Sequence, residues 1–403
     1  MRYTTLFFAL AFSCPLAAAE LIIEVQNPLA IDRVAAPVCI TVGDIQQYWK
    51  GYRYSPIAVF DGDKQLCSQL DDMNGQLSEH ELSFLLDIKA NETKRLRLVN
   101  GGPYNEVCAY DKIRAQMYKK NSGSLEPVRQ LGSFTGDAYN ILHHHGPAWE
   151  TEQIAYRVYF DQKQTIDVYG KYNQQLELVQ SLWYPTDEQL AQGFGDDILL
   201  VKGSIGVGTL KGWDGAKALH IQPVKVRSAE IVSYGPLRTI VDMSVAGWPY
   251  MGDTLDVTMR YISYAGHRDV EVRVLSDKPF SPSIQFCTGV QKIQRIDTAF
   301  TDNEGLTCTW GTYFPVNDTV KYGVQTVGLA ATVPQSIYNG DAEDKVNHLM
   351  LIKPTGANRF TYHFWVVSEK EKWNSIKSSR AFFDYSVKEK HLLQNPLSVK
   401  LGK

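Results

Sequence analysis

The sequence predicts a mostly β protein, a large antiparallel β-sandwich with a few short helices. Three observations predict it. Strand-like runs, alternating or continuously apolar, recur along the chain with Gly, Asp and Pro turns between them. Only two segments carry the residues of a helix start. No heptad, repeat or low-complexity tract offers another architecture. Many strands with few helices bury their apolar faces by packing one antiparallel sheet on another.

The first 19 residues read as an export signal. Arg2 supplies the positive charge, and Leu6 to Phe12 is an apolar run too short to span a bilayer. Ala17-Ala18-Ala19 offers a small-residue cleavage site before Glu20. Cys14 raises a lipoprotein signal, but Ala11 stands where a lipobox has Leu, so plain cleavage is expected. No later apolar run is long enough to cross a membrane. The mature chain is therefore expected in the periplasm or outside the cell.

Residues 20–100 read as a small N-terminal β unit. Leu21-Ile22-Ile23 begins a strand that Asn27-Pro28 ends, and Pro37-Val38-Cys39-Ile40 resumes it. Ile57 to Cys67 is a hairpin turning at Asp61-Gly62-Asp63. Leu82 to Ile88 and Arg95 to Val99 are two further strands. Few functional groups cluster here, so scaffolding or docking is the expected role. Asn100-Gly101-Gly102-Pro103 is the first strong punctuation and the expected boundary. Residues 101–403 then form the main sandwich, either as a separate domain or continuous with the first unit.

Within the main part, Ser122 to Gly136 is polar and reads as a loop. Tyr172 to Phe194 is irregular, except that Thr186 is placed to N-cap a short helix with Asp187 and Glu188 in its first turn. Gly203, Gly206 and Gly208 lack the spacing and the following helix of a phosphate-binding loop. A turn or a close backbone approach is expected there instead. Ile240 to Val245, Leu255 to Tyr264, Val270 to Leu275, Gly323 to Val333, His348 to Ile352 and Tyr362 to Val367 read as strands. Ser368 and Glu371 have capping-box spacing before Trp373 and Ile376, the second helix start.

A net charge of -3 gives no general attraction to nucleic acid or to an anionic membrane. The chain holds 22 Tyr and 8 Trp, side chains whose flat faces and polar tips suit stacking on sugar rings. Aromatic strand residues of any β-rich protein explain the same count. Five cysteines follow the signal, and an exported compartment permits disulfides. Cys287 with Cys308 is the preferred pair, and Cys39 with Cys67 or Cys108 an alternative. The odd count leaves one thiol, expected buried rather than catalytic. No CxxC or Cys/His spacing indicates structural zinc.

Leu142 to Lys171 gathers ionisable and aromatic residues more densely than any other stretch. It opens with His143, His144 and His145, breaks at Gly146-Pro147, and continues through Trp149 and Glu150 into two strand-like runs. In the first, Ile154, Tyr156, Val158 and Phe160 alternate with Arg157, Tyr159 and Asp161. In the second, Ile166 and Val168 alternate with Asp167, Tyr169 and Lys171. A short turn at Gln162 to Gln164 pairs the runs as a hairpin with one apolar face and one polar, aromatic face. That second face suits a carbohydrate cleft, with Tyr on the ring and Arg or Lys on a uronate carboxylate. A solvated outer sheet face looks the same.

Two reactions fit. Hydrolysis would use Glu150 as acid with Asp161 or Asp167 as partner. Elimination from a uronate would use Arg157 or Lys171 to neutralise the carboxylate, a histidine as base, and Tyr159 or Tyr169 as acid. The stretch is richer in the second set. The candidate catalytic residues are His144, His145, Glu150, Arg157, Tyr159 and Lys171. Trp149, Asp161, Asp167 and Tyr169 are candidate substrate contacts. The histidines lack the spacing of a zinc helix, and neither metal nor cofactor is expected. The expected partner is a carbohydrate, with no nucleic acid and no membrane after signal cleavage.

The run Leu142-His143-His144-His145-Gly146-Pro147-Ala148-Trp149-Glu150, then Tyr156-Arg157, Asp161 and Asp167-Val168-Tyr169-Gly170-Lys171, resembles a family of exported bacterial proteins catalogued as a domain of unknown function. Asp61-Gly62 with Gln69 and Asp71, Asp197 with Gly203 to Gly208, and Trp310-Gly311 extend the likeness over most of the mature chain. The resemblance implies a β-supersandwich fold of galactose mutarotase type and an association with polysaccharide breakdown, pectin in particular. It lends no catalytic residues. The expected function is action on an acidic, uronate-containing oligo- or polysaccharide by β-elimination or hydrolysis. The alternatives are a non-catalytic carbohydrate-binding or scaffold protein, and a sugar epimerase or mutarotase by analogy of fold.

Overall fold

The computed structural model describes residues 20–402 apart from 54, 102–106, 109–111, 295, 321 and 355. The export signal and Gly102-Pro103 of the expected boundary lie outside the described residues.

A nine-stranded antiparallel sheet forms one layer. Its order is Gln130–Ser133, Val226–Tyr234, Arg238–Tyr250, Asp253–Tyr264, Val270–Ser276, Arg359–Ser368, Gln325–Thr332, Leu306–Tyr313 and Ile296–Thr301. Two five-stranded sheets lie side by side as the second layer. One runs Asp196–Asp197, Ile166–Gly170, Ile154–Val158, Ala148–Thr151 and Ile113–Gln116. The other runs Ala218–Leu219, Lys211–Trp213, Phe286–Gln291, Asn347–Ile352 and Tyr338–Glu343. Isolated bridges from Gly206 to Ile166 and from Val207 to Val290 stitch the two together. Gly206 has φ +62°, and a Cβ there would stand 2.2 Å from the carbonyl oxygen of Ile166. At Gly208 a Cβ would stand 2.3 Å from the Phe364 ring. Both are the close approaches expected of this glycine cluster.

Period-two alternation drives the packing of the layers. Val241, Met243, Met259, Tyr261, Val272, Tyr362 and Phe364 face inward from the nine-stranded sheet. Trp149, Ile154, Tyr156, Val158, Ile166, Val168, Phe286, Val290 and Met350 meet them in one continuous core. The predicted mostly β sandwich with few helices is thus observed. Among the described residues four α-helices occur, and none is long and apolar enough to cross a membrane. Ser379–Gln394 is the long one. It covers the outer face of the nine-stranded sheet with Phe382, packed among Leu306, Cys308, Trp310 and Trp365.

The first strands build a second, smaller sandwich with its own core around Ile23, Val38, Val59, Phe84 and Leu98. The C-terminal strand Ser398–Leu401 pairs with Glu20–Gln26, so the unit is not contiguous in sequence. It meets the nine-stranded sheet through buried polar contacts. Gln69 donates to Ser233 Oγ at 2.8 Å and to the Arg238 carbonyl at 3.0 Å. Arg238 donates to Asp71 at 2.6 Å and to Glu81 at 3.0 Å. Buried ion pairs of this kind add little net stability.

Three expectations need correction. Ser122 to Gly136 is not a loop: Tyr118–Asn121 and Ser124–Pro127 form a hairpin, and Gln130–Ser133 edges the large sheet. Ser368 and Glu371 do not start a helix. The Ser368 amide donates to Glu371 Oε1 at 2.9 Å, but Glu371 is turned towards Arg268, and the helix begins ten residues later behind Ser378. Cys287 does not pair with Cys308. Cys287 lies in the smaller sheet beside Trp213 and Leu349, whereas Cys308 lies under the long helix. The disulfide joins Cys67 to Cys108, and Cys39, Cys287 and Cys308 are free. The helix capped by Thr186 is observed as Asp187–Ala191, with a complete capping box to Gln189.

Candidate functional site

The predicted hairpin forms as read. Ile154–Val158 pairs with Ile166–Gly170, and Arg157 stands opposite Asp167, Ala155 opposite Tyr169. Ile154, Tyr156, Val158, Ile166 and Val168 fill the core, so the polar residues of both strands share the other face. Trp149 belongs to the core side. It stacks on Tyr261 at 5.4 Å and donates to Ser263 Oγ at 3.0 Å, away from the polar face.

That face is neither an open cleft nor a solvated surface. The irregular segment after Lys171 folds back over it, laying Leu178 and Trp183 on Ala148, Ala155 and Tyr169. Lys171 is buried beneath this roof and donates to Glu150 at 2.5 Å and to the carbonyls of Thr151 and Gln175 at 2.7 Å. Glu150 also accepts from the amides of Glu177 and Leu178, each at 2.8 Å. Tyr169 donates to Glu177 at 2.8 Å. Glu150, Tyr169 and Lys171 therefore pin the roof to the sheet and do not reach solvent.

Arg157 occupies the mouth of the roofed face. Its Nε and Nη2 donate to Asp167 Oδ2 at 3.0 and 2.6 Å, and Nη2 also reaches Asp197 Oδ2 at 3.3 Å. It donates to the phenol oxygens of Tyr184 and Tyr159, each at 3.0 Å. Tyr159 in turn donates to Asp167 at 2.6 Å. The guanidinium lies over the Trp183 ring at 4.3 Å. Around it, outside the buried Tyr159 ring, runs a belt of partly exposed rings. His143 meets Tyr184 at 5.6 Å; Tyr159 meets Tyr139 at 5.4 Å; His145 stacks on Tyr139 at 3.9 Å. Tyr184 is 49% exposed and is the most open of them. Lys163 lies over Tyr139 and Tyr159 at 5.6 and 5.3 Å and pairs with Asp161 at 3.2 Å.

The histidine triplet divides between surface and interior. His143 and His145 join the belt, anchored to the Leu182 carbonyl at 3.2 Å and the Tyr139 carbonyl at 2.9 Å. His144 turns inward, fully buried, with Nε2 at 3.1 Å from Gln116 Nε2. Gly146, next in the chain, packs directly on the hairpin; a Cβ there would stand 1.8 Å from the Val158 carbonyl oxygen.

Burial lowers the pKa of all three histidines, that of His144 furthest, so His143 and His145 are neutral at pH 7. Burial raises Asp197 well above the usual carboxylate range, and the Asp167 charge adds to it. Two carboxylates against one buried guanidinium leave an excess negative charge, which favours the protonated form at Asp197 more than at an ordinary carboxylate. About 19% of the Asp197 side chain is exposed, against 1% for Asp167. Burial and then Asp167 raise Tyr159, which keeps its proton.

Of the residues singled out in the sequence, the structure brings Arg157, Tyr159, Asp161, Asp167 and His145 together. It leaves His144, Trp149, Glu150, Tyr169 and Lys171 buried away from the surface. Tyr139, His143, Lys163, Trp183, Tyr184 and Asp197 complete the cluster and were not among the candidates. His143 was visible in the histidine triplet and Asp197 in the family resemblance, and the aromatic run Trp183-Tyr184 before Pro185 was the signal that could have found those two. Among the described residues no group of three His, Cys, Asp or Glu side chains is gathered as a metal site would require.

Comparison with known proteins adds the following. No curated protein matches the chain. Solved structures similar to it include a protein in glycosyl hydrolase family 38 from Enterococcus faecalis, with 9% identity and a TM-score of 0.49, covering 95% of this chain and 47% of that one. An α-mannosidase from Enterococcus faecalis V583 has 9% identity and a TM-score of 0.44, covering 95% of this chain and 46% of that one. The chain spans about half the length of these two structures, and neither likeness carries an argument about activity. The model of a domain of unknown function, DUF4861, matches residues 25–399. A match over nearly the whole described chain, on the family level at which the histidine and hairpin motifs pointed, makes this protein a member of the DUF4861 family.

Proposed function

We propose that the protein is an exported carbohydrate-active enzyme that takes an acidic, uronate-containing saccharide across the ring belt and cleaves it by β-elimination. The observation that carries this reading is the belt itself. Half-exposed Tyr139, Tyr184, His143 and His145 gather around Arg157, whose guanidinium reaches the partly exposed Asp197, a carboxyl that burial shifts towards its protonated form. Flat rings stack on sugar faces. A neutral histidine takes the C5 proton, the C4–O bond breaks as the C4=C5 double bond forms, and Asp197 gives its proton to the leaving oxygen. Lys163, whose side chain is 25% exposed, neutralises the uronate carboxylate. Arg157 acts as a positioning residue that holds Tyr159 and Tyr184. Hydrolysis finds less support, because Glu150 and Asp167 are closed off and Asp161 is bound to Lys163 and to the amides of Lys163 and Gln164. The Cys67–Cys108 disulfide supports an oxidising compartment.

A non-catalytic binding protein is the second reading, favoured by the internal engagement of Arg157. Tyr184→Ala separates a binding belt from a plain surface. Loss of one stacking ring, about 1 kcal/mol, should weaken saccharide binding about fivefold while the melting temperature holds. Unchanged affinity for every glycan bound would remove the belt from the site.

A further inference from the structure

The turn that follows strand Ile154–Val158 has a second side. There the Lys163 carbonyl accepts from Lys211 Nζ, and the other contact of that nitrogen is His220 Nδ1 at 3.4 Å. Lys211 is 1% exposed, and among the described residues no carboxylate pairs with it. Burial drives a lysine amine towards its neutral form unless a negative charge comes close, and the one carboxylate facing Lys211, Asp161, is engaged by Lys163 and by the amides of Lys163 and Gln164. Lys211 and His220 line a cavity of about 530 Å³, within the size range of small-molecule sites. Two exposed lysines, Lys217 and Lys345, stand on its rim. Its one carboxylate, Asp344, is turned onto Asn347 and onto the amides of Ala218 and Val346. Gln222 adds an uncharged polar group to the lining.

We propose that this cavity binds a small hydroxylated carboxylate, a sugar acid, whose carboxylate pairs with Lys211. One buried cation beside a neutral imidazole matches a monoanion, not a dianion. The rim lysines draw it in, and the polar lining takes hydroxyls. The cavity stands on its own geometry and does not depend on the ring belt being a site. Burial brings the Lys211 amine down to about 7 and the His220 imidazole to about 4, so His220 is neutral where Lys211 is charged. The charged and titratable groups facing Lys211 are Asp161 and Lys163 from the turn, His220, Arg227 and Cys287. Binding therefore weakens as the pH rises above about 7, where the free amine loses its proton.

The test titrates the full-length protein with galacturonate, galactose and inorganic phosphate by calorimetry at pH 6.5 and 8.5. Galacturonate should bind at least about tenfold more tightly than galactose at pH 6.5, and Lys211→Met should remove that margin. Binding should be weaker at pH 8.5, and the margin lost in Lys211→Met should persist when the comparison is made in a Tyr184→Ala background, which takes out the contribution of the ring belt. Equal binding of galactose, or full affinity in Lys211→Met, would overturn the proposal; tighter binding of phosphate would overturn the monoanion. Where Lys211→Met fails to fold, the double variant Lys217→Ala/Lys345→Ala decides. Several-fold weaker, salt-sensitive binding supports the site, and unchanged binding overturns it.

Discussion

Two carboxylates share one guanidinium nitrogen at the mouth of the roofed face, and the proton balance there decides what the site can do. Asp197→Asn mimics the protonated acid. It should leave the melting temperature nearly unchanged and abolish turnover, which a thermal scan and an activity assay on the same preparation would read. Asp167→Ala leaves Arg157 without its two-fold partner and should cost about 3–5 kcal/mol in a denaturant titration. Lys171→Met should cost a similar amount, about 3–5 kcal/mol, because Glu150 would be left buried without its cation. At this scale the sequence was partly legible. Alternation placed Arg157 and Asp167 on one face, but Trp149, read as a substrate contact, lies on the core side. Alternation could not reveal that Lys171 and Glu150 face each other under a roof, because the roof is an irregular segment without periodicity. Nor could it reveal Asp197, which joins the cluster through two residues of strand at the sheet edge.

Among the elements, the hairpins at Asp61-Gly62-Asp63 and at Gln162 to Gln164 were read correctly because a period of two is a direct consequence of burial on one side, whereas the polar hairpin within Tyr118–Pro127 lacks that signal and was read as a loop. The long helix was misplaced because Ser368 and Glu371 satisfy each other locally without a helix following. The turn after the histidines depends on one contact that no pattern announces, the close approach of Gly146 to Val158. Gly146→Ala should therefore fold poorly, with soluble yield or melting temperature falling sharply, whereas Gly203→Ala, with open space around it, should be tolerated. The turn between strands Asp253–Tyr264 and Val270–Ser276 carries a pH-sensitive tie. His267 lies 3.2 Å from Asp269 and 2.8 Å from the Ala35 carbonyl of the smaller sandwich. Burial alone would lower its pKa, but the Asp269 hydrogen bond and charge outweigh this and raise it to about 9. A raised pKa means the native state holds the proton more tightly than the unfolded chain, whose histidine titrates near about 6.5. The stabilisation is complete below that value and is lost as the pH rises through about 9. Denaturation midpoints across this window should fall, and His267→Gln should flatten the fall.

For the whole molecule, composition and strand count were enough to predict a mostly β sandwich, since few other folds bury so many alternating runs. The chain's closure was not predictable. Strand Ser398–Leu401 completes the first sheet, and four residues with one alternation carry too little signal to be assigned to a partner so far away. The disulfide was misassigned for the same reason: the pairing depends on which loops the fold brings together. Cys67–Cys108 closes a loop of sequence separation 41, so removing it by Cys67→Ser with Cys108→Ser should cost about 4 kcal/mol by loop entropy. A change below about 1 kcal/mol would mean that the reduced chain keeps the same constraint. The measurement that bears most directly on function is incubation of the purified protein with a panel of uronate-containing and neutral oligosaccharides, following ultraviolet absorbance and product mass together. Rising absorbance with unsaturated products, one water lighter than hydrolysis would give, is the predicted result with acidic substrates alone. Saturated products, or no product from any acidic glycan, would contradict the account.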